Sequence, residues 1–528
     1  MSDKRRFFKH TLIFGIGGAL GQLIPLILLP LYTNYLTPSE YGIVDVIYMA
    51  SDIINTVFLV GGIRLAAMTF YKQAESEEAR RRVAITVSSL LWVAVATAIT
   101  LTICFVDYLD LYLKVDDKKL LVFGLVTVLL EAIIAVPMTL TQARLESLRF
   151  VLINLIMGLT RLGLCIYFVA GLRWGVWGIF SAQAIVLIVF GIYLSYRELR
   201  IGSIYPDTTK WKEIFHFSLP LAPNGIFAYL YWTSGRFSIL HFGPYADFGP
   251  YGEESAAMGA LGLYALASRI LGIAGALGVG AMQKVWTAEM YEVYKQPDAT
   301  YVFGNFTLRL LCVQAFAALL ISLFSWEIVR IMCDSSFHHA AALIPLFGLY
   351  SMLNLFAIQM LGTFTITRKT NYTLFATMFS LPIIFLFMLL LVPRWGITGA
   401  ITAQMLAHIA YAGFVYYFTQ RFFYVRYPFR KMAMLLIITV FCYFVSLLCG
   451  SGIELSSLSI EEFKALSRWE KLMDAWNRFR WLSIMAKSGV MVLWGVLVWF
   501  SGILSQEDKA LAIRMFKKGL QKIHLYPR

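Results

Sequence analysis

Charged residues are scarce in this sequence. Asp, Glu, Lys and Arg make up only 14% of its 528 residues, and 59% are hydrophobic, with a mean hydropathy of +0.70. Soluble domains carry about 25% charged residues, so the composition excludes an ordinary soluble protein and predicts one that crosses a membrane many times. The net charge of +14 does not indicate nucleic-acid binding, because the Lys and Arg residues lie in short loops between apolar runs.

Motifs for catalysis and metal binding are also missing. The sequence contains no phosphate loop, nucleophile elbow, HExxH or CxxC pair. Its six cysteines are scattered without metal-ligand spacing. The sequence therefore predicts no metal, no cofactor and no enzymatic centre, and it leaves open a disulfide between Cys333 and Cys449.

Long apolar runs are abundant, and about 20 such residues suffice to cross a bilayer as a helix. Fourteen candidate spans start near Thr11, Tyr41, Val83, Leu120, Phe150, Gly175, Ile214, Met258, Val302, Ala341, Tyr372, Gly396, Met432 and Trp481. The run from Thr11 is too long for a signal peptide and predicts an uncleaved first helix. Loops on one side would carry 28 Lys and Arg residues, against 11 on the other. The positive-inside rule then places both termini in the cytoplasm.

An internal repeat organises these spans. The sequence RWGVWGIFSAQ begins at Arg173 and RWGITGAITAQ begins at Arg394, 221 positions later. TLTQAR ending at Arg144 likewise matches TFTITR ending at Arg368. An even number of spans in each unit predicts two parallel units of six helices, residues 1–205 and 206–425. Residues 426–528 would add two helices, an outer amphipathic segment at 460–482 and a basic tail.

Ionisable residues inside apolar spans are the candidates for function, because they are costly there unless they face a cavity or a partner. Arg269 projects from a face of the eighth span that otherwise holds Gly and Ala, and Arg236 shares a face of the seventh span with Tyr229 and Thr233. Guanidinium groups match phosphate oxygens bidentately, so a cluster of them predicts an anion site. The proposed ligands of a diphosphate or other anionic headgroup are Arg269, Arg236, Arg64, Lys284 and Arg161. For Arg64 and Lys284, snorkelling to the membrane surface fits equally well.

Acidic residues and one histidine are candidates for ion coupling. The acids Asp45, Asp52 and Glu131 lie within spans, and His408 lies in the twelfth span. These groups would bind H⁺ or Na⁺; alternatively, the acids neutralise the arginines and His408 is a hydrogen-bonded structural residue. Prolines occur where each unit begins, and Pro25, Pro220 and Pro223 are candidates for gating because proline permits a helix to bend.

Several of these features resemble one transporter family. The basic N-terminus, the first span rich in Gly and Pro, the stretch LTPSEYGIVDVIY from Leu36 to Tyr48 and the two RWGxxGxxxAQ turns are similar to the polysaccharide transporters. These are the O-antigen and exopolysaccharide flippases of the multidrug and oligosaccharidyl-lipid exporter superfamily. The resemblance covers roughly residues 5 to 425, and the number of spans is similar to that of the lipid II flippases.

The resemblance implies a fold and a function. The fold would be all-α, with two six-helix lobes in a V around a central cavity and two extra C-terminal helices. The function would be flipping of a polyprenyl-diphosphate-linked oligosaccharide to the outer leaflet by alternating access, in contact with membrane lipids and other polysaccharide-assembly proteins. The alternatives are a multidrug or cation antiporter, which would need acids dominating the cavity, and a polytopic polymerase or ligase, which would need a large outer loop.

Overall fold

The computed structural model describes residues 24–58, 60–115, 117–144, 146–201, 206–207, 209–219, 221–244, 253–448, 481–506 and 508–510. Within these ranges the chain forms helices and turns and no β-strand, so the predicted all-α class is confirmed. The first helices are α1 (residues 24–35), α2 (Pro38–Val57), α3 (Val60–Gln73), α4 (Glu77–Cys104), α5 (Val106–Leu113), α6 (Lys118–Ala143), α7 (Ser147–Cys165), α8 (Gly175–Ile201) and α9 (Thr209–Ser218). They are followed by α10 (Leu221–Phe242), α11 (Glu253–Val293), α12 (Ala299–Leu323), α13 (Ser325–Met332), α14 (Ile344–Ile366), α15 (Asn371–Phe422), α16 (Phe429–Leu448) and α17 (Trp481–Phe500). A π-helix, Ile166–Gly171, follows α7, and a 3₁₀-helix, Ser335–Ala342, follows α13.

Membrane crossing is supported by helix length and composition. Eight of the described helices are long and apolar enough to span a bilayer, and α2 with α3, bent by 53° relative to each other, form a further candidate. The predicted spans that start at Tyr41 and at Ile214 are each divided into two helices, α2 with α3 and α9 with α10. The total of fourteen spans stays a prediction, because most of the first span and the segment 449–480, with its predicted amphipathic helix, lie outside the described residues.

The repeated RWG sequence places a glycine with a positive φ angle at each of two turns. Gly175 and Gly396, which are equivalent in the repeat, have φ angles of +54° and +55°. This left-handed region is accessible to glycine without steric cost, whereas a Cβ atom would be strained there. The two copies of the repeat therefore share a positive φ angle at this glycine, although Arg173 also has a positive φ angle and Arg394 does not.

Helix α15 turns back on itself at Gly396. At 1.5 Å per residue its 52 residues would extend about 78 Å, more than twice the thickness of a bilayer core. The ring of Tyr372 lies 4.7 Å from that of Phe422, and the ring of Phe379 lies 5.1 Å from that of Phe414. Its two halves are therefore antiparallel and form a helical hairpin, as α7 and α8 do around Gly175.

Helix α2 begins at a strong sequence signal. In Thr37-Pro-Ser-Glu40, the Thr37 hydroxyl accepts from the Glu40 backbone N–H at 3.2 Å, and the Glu40 carboxylate accepts from the Thr37 N–H at 2.8 Å. This reciprocal capping box satisfies two amide groups that the helix leaves unpaired. Pro38 is suited to the first helical turn because it lacks the N–H that would remain free there.

Helices α2 and α11 cross at two glycines that are equivalent in the repeat. A Cβ atom on Gly42 would lie 2.1 Å from the Met258 carbonyl oxygen, and one on Gly262 would lie 2.0 Å from the Pro38 carbonyl oxygen. Positions 38 and 258, like 42 and 262, are 220 residues apart. The two predicted units therefore meet through equivalent residues, as expected if a two-fold axis relates them.

Other contacts between the predicted units lie near this crossing, at what we call the Pro38 end of the molecule. The Asn34 side chain and the Thr33 hydroxyl both donate to the Met332 carbonyl, at 3.0 and 3.2 Å. The ring of Tyr41 packs edge-on against that of Phe337, with centroids 5.9 Å apart. These contacts join α1 and α2 to the segment that includes α13 and the 3₁₀-helix.

The last two helices pack against the second predicted unit. Their apolar cluster includes Leu311 of α12, Leu435 of α16 and Trp494 of α17. The Trp494 indole donates to the Thr439 hydroxyl at 3.0 Å. Lys487, 4% exposed in α17, pairs with Glu327 of α13, so its charge is neutralised inside the protein.

Candidate functional site

Three successive turns of α2 each present a side chain on the same face that accepts a hydrogen bond from an arginine of another helix. Tyr41, Asp45 and Tyr48 are spaced by four and three residues, which places them in one row along a helix. Each hydrogen-bonds to a different arginine, contributed by α11, α10 and α7 in turn. The row therefore gathers three of the cations predicted from the sequence.

The middle arginine is neutralised. Arg236 Nε lies 2.6 Å from Asp45 Oδ2, and both side chains are about three-quarters buried. The guanidinium also lies 5.7 Å from the centre of the Tyr264 ring, a favourable position over an aromatic face. Arg236 and Asp45 thus form an ion pair between the two predicted units.

The arginine nearest the middle of α2 has no acidic partner. Arg161 donates through one nitrogen to the Tyr48 hydroxyl and to Gln183 Oε1, the latter at 2.9 Å. Its Nε is buried and makes no hydrogen bond with any described residue. Among the described residues, the hydrogen-bond partners of Arg161 are therefore neutral groups, and its Nε donor has no partner there.

Arg269 is held in a similar way. It donates to the Tyr41 hydroxyl at 3.2 Å, and within the described ranges no carboxylate lies at ion-pair distance from it or from Arg161. Both arginines line one cavity of about 230 Å³. The remaining lining residues are Ile24, Pro25, Leu28, Leu29, Tyr32, Val44, Tyr48, Asn154 and Gly158. The cavity joins two uncompensated cations to an apolar wall from α1, an arrangement suited to an anionic headgroup on an apolar chain.

Two acids lie beside this cluster. Asp52 is exposed one turn beyond Tyr48 and is close enough to Glu131, Arg236 and Asp45 to interact electrostatically with each. Glu131, exposed on α6, accepts from the Gln183 amide at 2.9 Å. The centre therefore contains three arginines and three carboxylates, and only Arg236 and Asp45 pair directly.

The other predicted cations are not brought to this cavity by the described contacts. Arg64 is exposed on α3 and makes no hydrogen bond or ion pair with the described residues. Lys284 belongs to α11, but its side chain lies outside the described part of the structure. Their assignment to the anion site stays a prediction.

His408 lies away from the arginines, in a buried aromatic cluster. Its Nδ1 hydrogen-bonds to the Tyr231 hydroxyl at 3.0 Å, and its ring packs against Tyr350 and Tyr411. Its Nε2 has no partner among the described residues. The contact with Tyr231 fits the structural alternative, and a role in ion coupling stays untested.

The three prolines occupy different positions. Pro25 lines the arginine cavity from α1. Pro223 is the third residue of α10, where a missing N–H costs little. Pro220 lies outside the described residues, between α9 and α10.

Sequence reasoning overlooked Gln183, Tyr32 and Asn154. Gln183 is the final residue of the repeated RWGxxGxxxAQ sequence, and its equivalent Gln404 accepts from the Tyr264 hydroxyl at 2.9 Å. A polar residue retained in both copies within an apolar span was the signal that could have identified it. Tyr32 and Asn154 carried no comparable signal.

A second cavity, of about 380 Å³, lies where α3 ends, α4 begins and α6 ends. Its lining residues are Tyr71, Lys72, Glu77, Arg80, Arg81, Ala143, Arg144 and Glu146. Glu77 pairs with Arg80 at 2.6 Å, and Glu146 pairs with Arg197 at 2.7 Å. This cavity has mixed charge, and its acids are already compensated.

No set of three His, Cys, Asp or Glu side chains in the described ranges is placed to hold a metal ion. Cys333 is buried and unpaired with any described cysteine, while Cys449, its suggested partner, lies outside those ranges. The described site therefore consists of arginine, tyrosine, amide and carboxylate groups.

Comparison with known families identifies the chain's relatives. A family model described as polysaccharide biosynthesis protein matches residues 7–286, more than half of the sequence. The chain belongs to the polysaccharide biosynthesis protein family. This confirms the family resemblance inferred from the sequence. No curated protein matches the chain significantly.

Solved structures show the fold of this family member. The lipid II flippase MurJ in an inward closed conformation has 12% sequence identity and a TM-score of 0.67, covering 93% of this chain and 100% of that one. An inward-facing multidrug resistance MATE family transporter of the MOP superfamily has 15% identity and a TM-score of 0.59, covering 76% and 95%. A MOP superfamily transporter from Pyrococcus furiosus has 14% identity and a TM-score of 0.55, covering 78% and 95%. The chain is thus a multi-pass membrane protein with a MurJ- and MATE-like fold.

Proposed function

We propose that this protein is a flippase that moves a polyprenyl-diphosphate-linked oligosaccharide from the cytoplasmic to the outer leaflet for cell-surface polysaccharide synthesis. The observation that carries the proposal is the cavity in which Arg161 and Arg269 contact tyrosine and glutamine rather than acids. Two uncompensated guanidinium groups provide a bidentate match for a diphosphate. The family and the fold support the same general role.

The proposal includes a topology and a cycle. Residues 1–205 and 206–425 act as lobes, residues 426–528 add two helices, and both termini face the cytoplasm of a cell whose inner membrane holds the protein. The Pro38 end then faces outward, and its contacts between the lobes fit a state closed to the outside. The diphosphate binds among the arginines while the polyprenyl tail remains in lipid, because carrying a charged headgroup through hydrocarbon would be prohibitive.

The test is flipping of a polyprenyl-diphosphate oligosaccharide in proteoliposomes. Wild type is compared with Arg161→Ala and Arg269→Ala, and the matched control is Arg149→Ala, which removes an exposed arginine from the same helix as Arg161. We expect flipping by wild type and by the control, and at least a tenfold lower rate for either cavity variant, since losing a charged hydrogen-bond donor costs about 1.5–3 kcal/mol.

The alternative is a multidrug or cation antiporter, which the exposed acids Asp52 and Glu131 beside the cavity favour. A cationic drug is therefore included as a second substrate. If folded wild-type protein moves the drug and leaves the lipid in place, the flippase proposal is wrong. Imposing an H⁺ or Na⁺ gradient in the same vesicles determines whether transport is coupled to an ion.

A further inference from the structure

Gln183 occupies the space between an acid and an arginine. Its Oε1 accepts from Arg161 at 2.9 Å and from the Tyr48 hydroxyl at 2.5 Å, while its Nε2 donates to Glu131 at 2.9 Å. The side chain is almost fully buried. One amide group therefore connects Arg161 on α7 with Glu131 on α6.

The chemistry of the partners determines the orientation of this amide. Arginine can only donate hydrogen bonds, and an ionised carboxylate can only accept them. The amide oxygen must therefore face Arg161, and the amide nitrogen must face Glu131. Reversing the amide would place two donors against each other at one end and two acceptors at the other.

A neighbouring contact shows what happens where no amide intervenes. Arg236 and Asp45 approach directly, with Nε 2.6 Å from Oδ2, and neutralise each other. Arg161 and Glu131, by contrast, each contact Gln183, and the guanidinium Nε of Arg161 remains buried without a partner. A buried donor without a partner is costly. Arg161 also lines the adjoining cavity, where an anionic ligand would lie.

We propose that Gln183 is a positioning residue that keeps Arg161 from pairing with Glu131, so that the guanidinium charge remains uncompensated and can bind an anionic ligand. The amide oxygen orients Arg161 without neutralising it, which a carboxylate at the same position would do. The ligand is a phosphate-bearing group. This inference rests on the proposed function, because it concerns how the same cavity holds the substrate's diphosphate.

The second copy of the repeat provides a matched control. Gln404 is equivalent to Gln183, is equally buried and accepts from Tyr264, but no arginine donates to it within the described residues. Removing its amide costs one tyrosine hydrogen bond and leaves the Arg161 contacts intact. The two substitutions therefore separate a loss of packing from a loss of arginine positioning.

The experiment measures binding of farnesyl diphosphate to the full-length protein in detergent by calorimetry. We expect Gln183→Ala to weaken binding roughly tenfold, because Arg161 can then pair with Glu131 and must be released from it before it binds the ligand. Adding Glu131→Gln should restore affinity to near the wild-type value. Gln404→Ala should bind like wild type, and the thermal midpoint of each variant reports folding.

The decisive result is whether Glu131→Gln restores ligand affinity to the Gln183→Ala protein. If Gln183 had only a structural role, changing Glu131 would not restore that affinity. The inference is wrong if Glu131→Gln fails to restore binding to a folded Gln183→Ala protein. A second arm uses Gln183→Glu, which should fold and bind at least tenfold more weakly because the new carboxylate pairs with Arg161. Wild-type affinity in that variant would equally contradict the inference. Absence of binding by wild type and all variants would instead contradict the proposed function.

Discussion

The identity of each hydrogen-bond acceptor decides what the buried arginines can do. Arg236 meets a carboxylate, whereas Arg161 and Arg269 meet a tyrosine or an amide. The charge of Arg236 is compensated before any ligand arrives, whereas the charges of Arg161 and Arg269 are not paired with a described carboxylate. Of the three arginines along α2, only the two that line the cavity are therefore suited to an anion.

The ion pair between Lys487 and Glu327 provides a prediction at the residue scale. Lys487→Met should lower the free energy of unfolding by about 3–5 kcal/mol, because it leaves the largely buried Glu327 carboxylate without a cation. Thermal unfolding in detergent measures the change. The double variant with Glu327→Gln should recover most of the loss.

The matched control for that prediction is Lys118→Met. Lys118 pairs with Asp107 and Asp110 on the surface, where water screens the charges, so its removal should leave the unfolding midpoint nearly unchanged. Equal effects of the two lysine substitutions would show that burial does not matter at Lys487.

At the scale of elements, close approach of helices depends on glycine. The α2–α11 crossing has no room for a methyl group at either Gly42 or Gly262, and the obstructing atoms belong to the backbone, which cannot rotate away. We expect Gly262→Ala to separate the helices and to cost about 1–3 kcal/mol, the usual range for overpacking. The thermal midpoint in detergent measures this change.

Gly272→Ala is the control on the same helix. A Cβ atom there would have no neighbour within 4 Å, and alanine favours helix more than glycine does. This variant should be as stable as wild type or slightly more stable. A similar loss of stability in both variants would mean that helix propensity, rather than the crossing, is responsible.

At the scale of the whole molecule, the ion pair between Asp45 and Arg236 joins the two predicted units close to the Pro38 end. Asp45→Asn removes the charge but keeps the shape, so it should weaken this closure and increase the population of a state open at that end. Spin labels are placed at Tyr35 and Ile331, which are both exposed and lie on opposite sides of the closed contact. Double electron–electron resonance then measures the distance between the two labels.

We expect one short distance in the labelled parent protein and an added longer distance in the Asp45→Asn variant. Asp52→Asn is the companion control, because Asp52 lies on the same helix but forms no ion pair with the described residues. An unchanged distance distribution in Asp45→Asn would show that the ion pair does not hold the Pro38 end closed.

Much of this architecture was predictable because it depends on local sequence. Hydrophobic runs determine where helices lie in a membrane, Thr37 and Glu40 determine where α2 starts, and the repeated Arg-Trp-Gly determines where two hairpins turn. The family resemblance was also available from short motifs and was confirmed. Each of these features depends on neighbouring residues or on the solvent that surrounds them.

The partners of the charged residues were decided by tertiary structure alone. The sequence showed that Arg161, Arg236 and Arg269 lie within apolar spans, but it contained nothing to pair Asp45 with Arg236 or to place Gln183 between Arg161 and Glu131. These contacts join residues 22 to 191 positions apart and depend on how the helices pack and rotate. Composition determined that this protein crosses a membrane, whereas packing determined which of its arginines are compensated by a carboxylate, because an ion pair depends on distances of a few ångströms between separate helices.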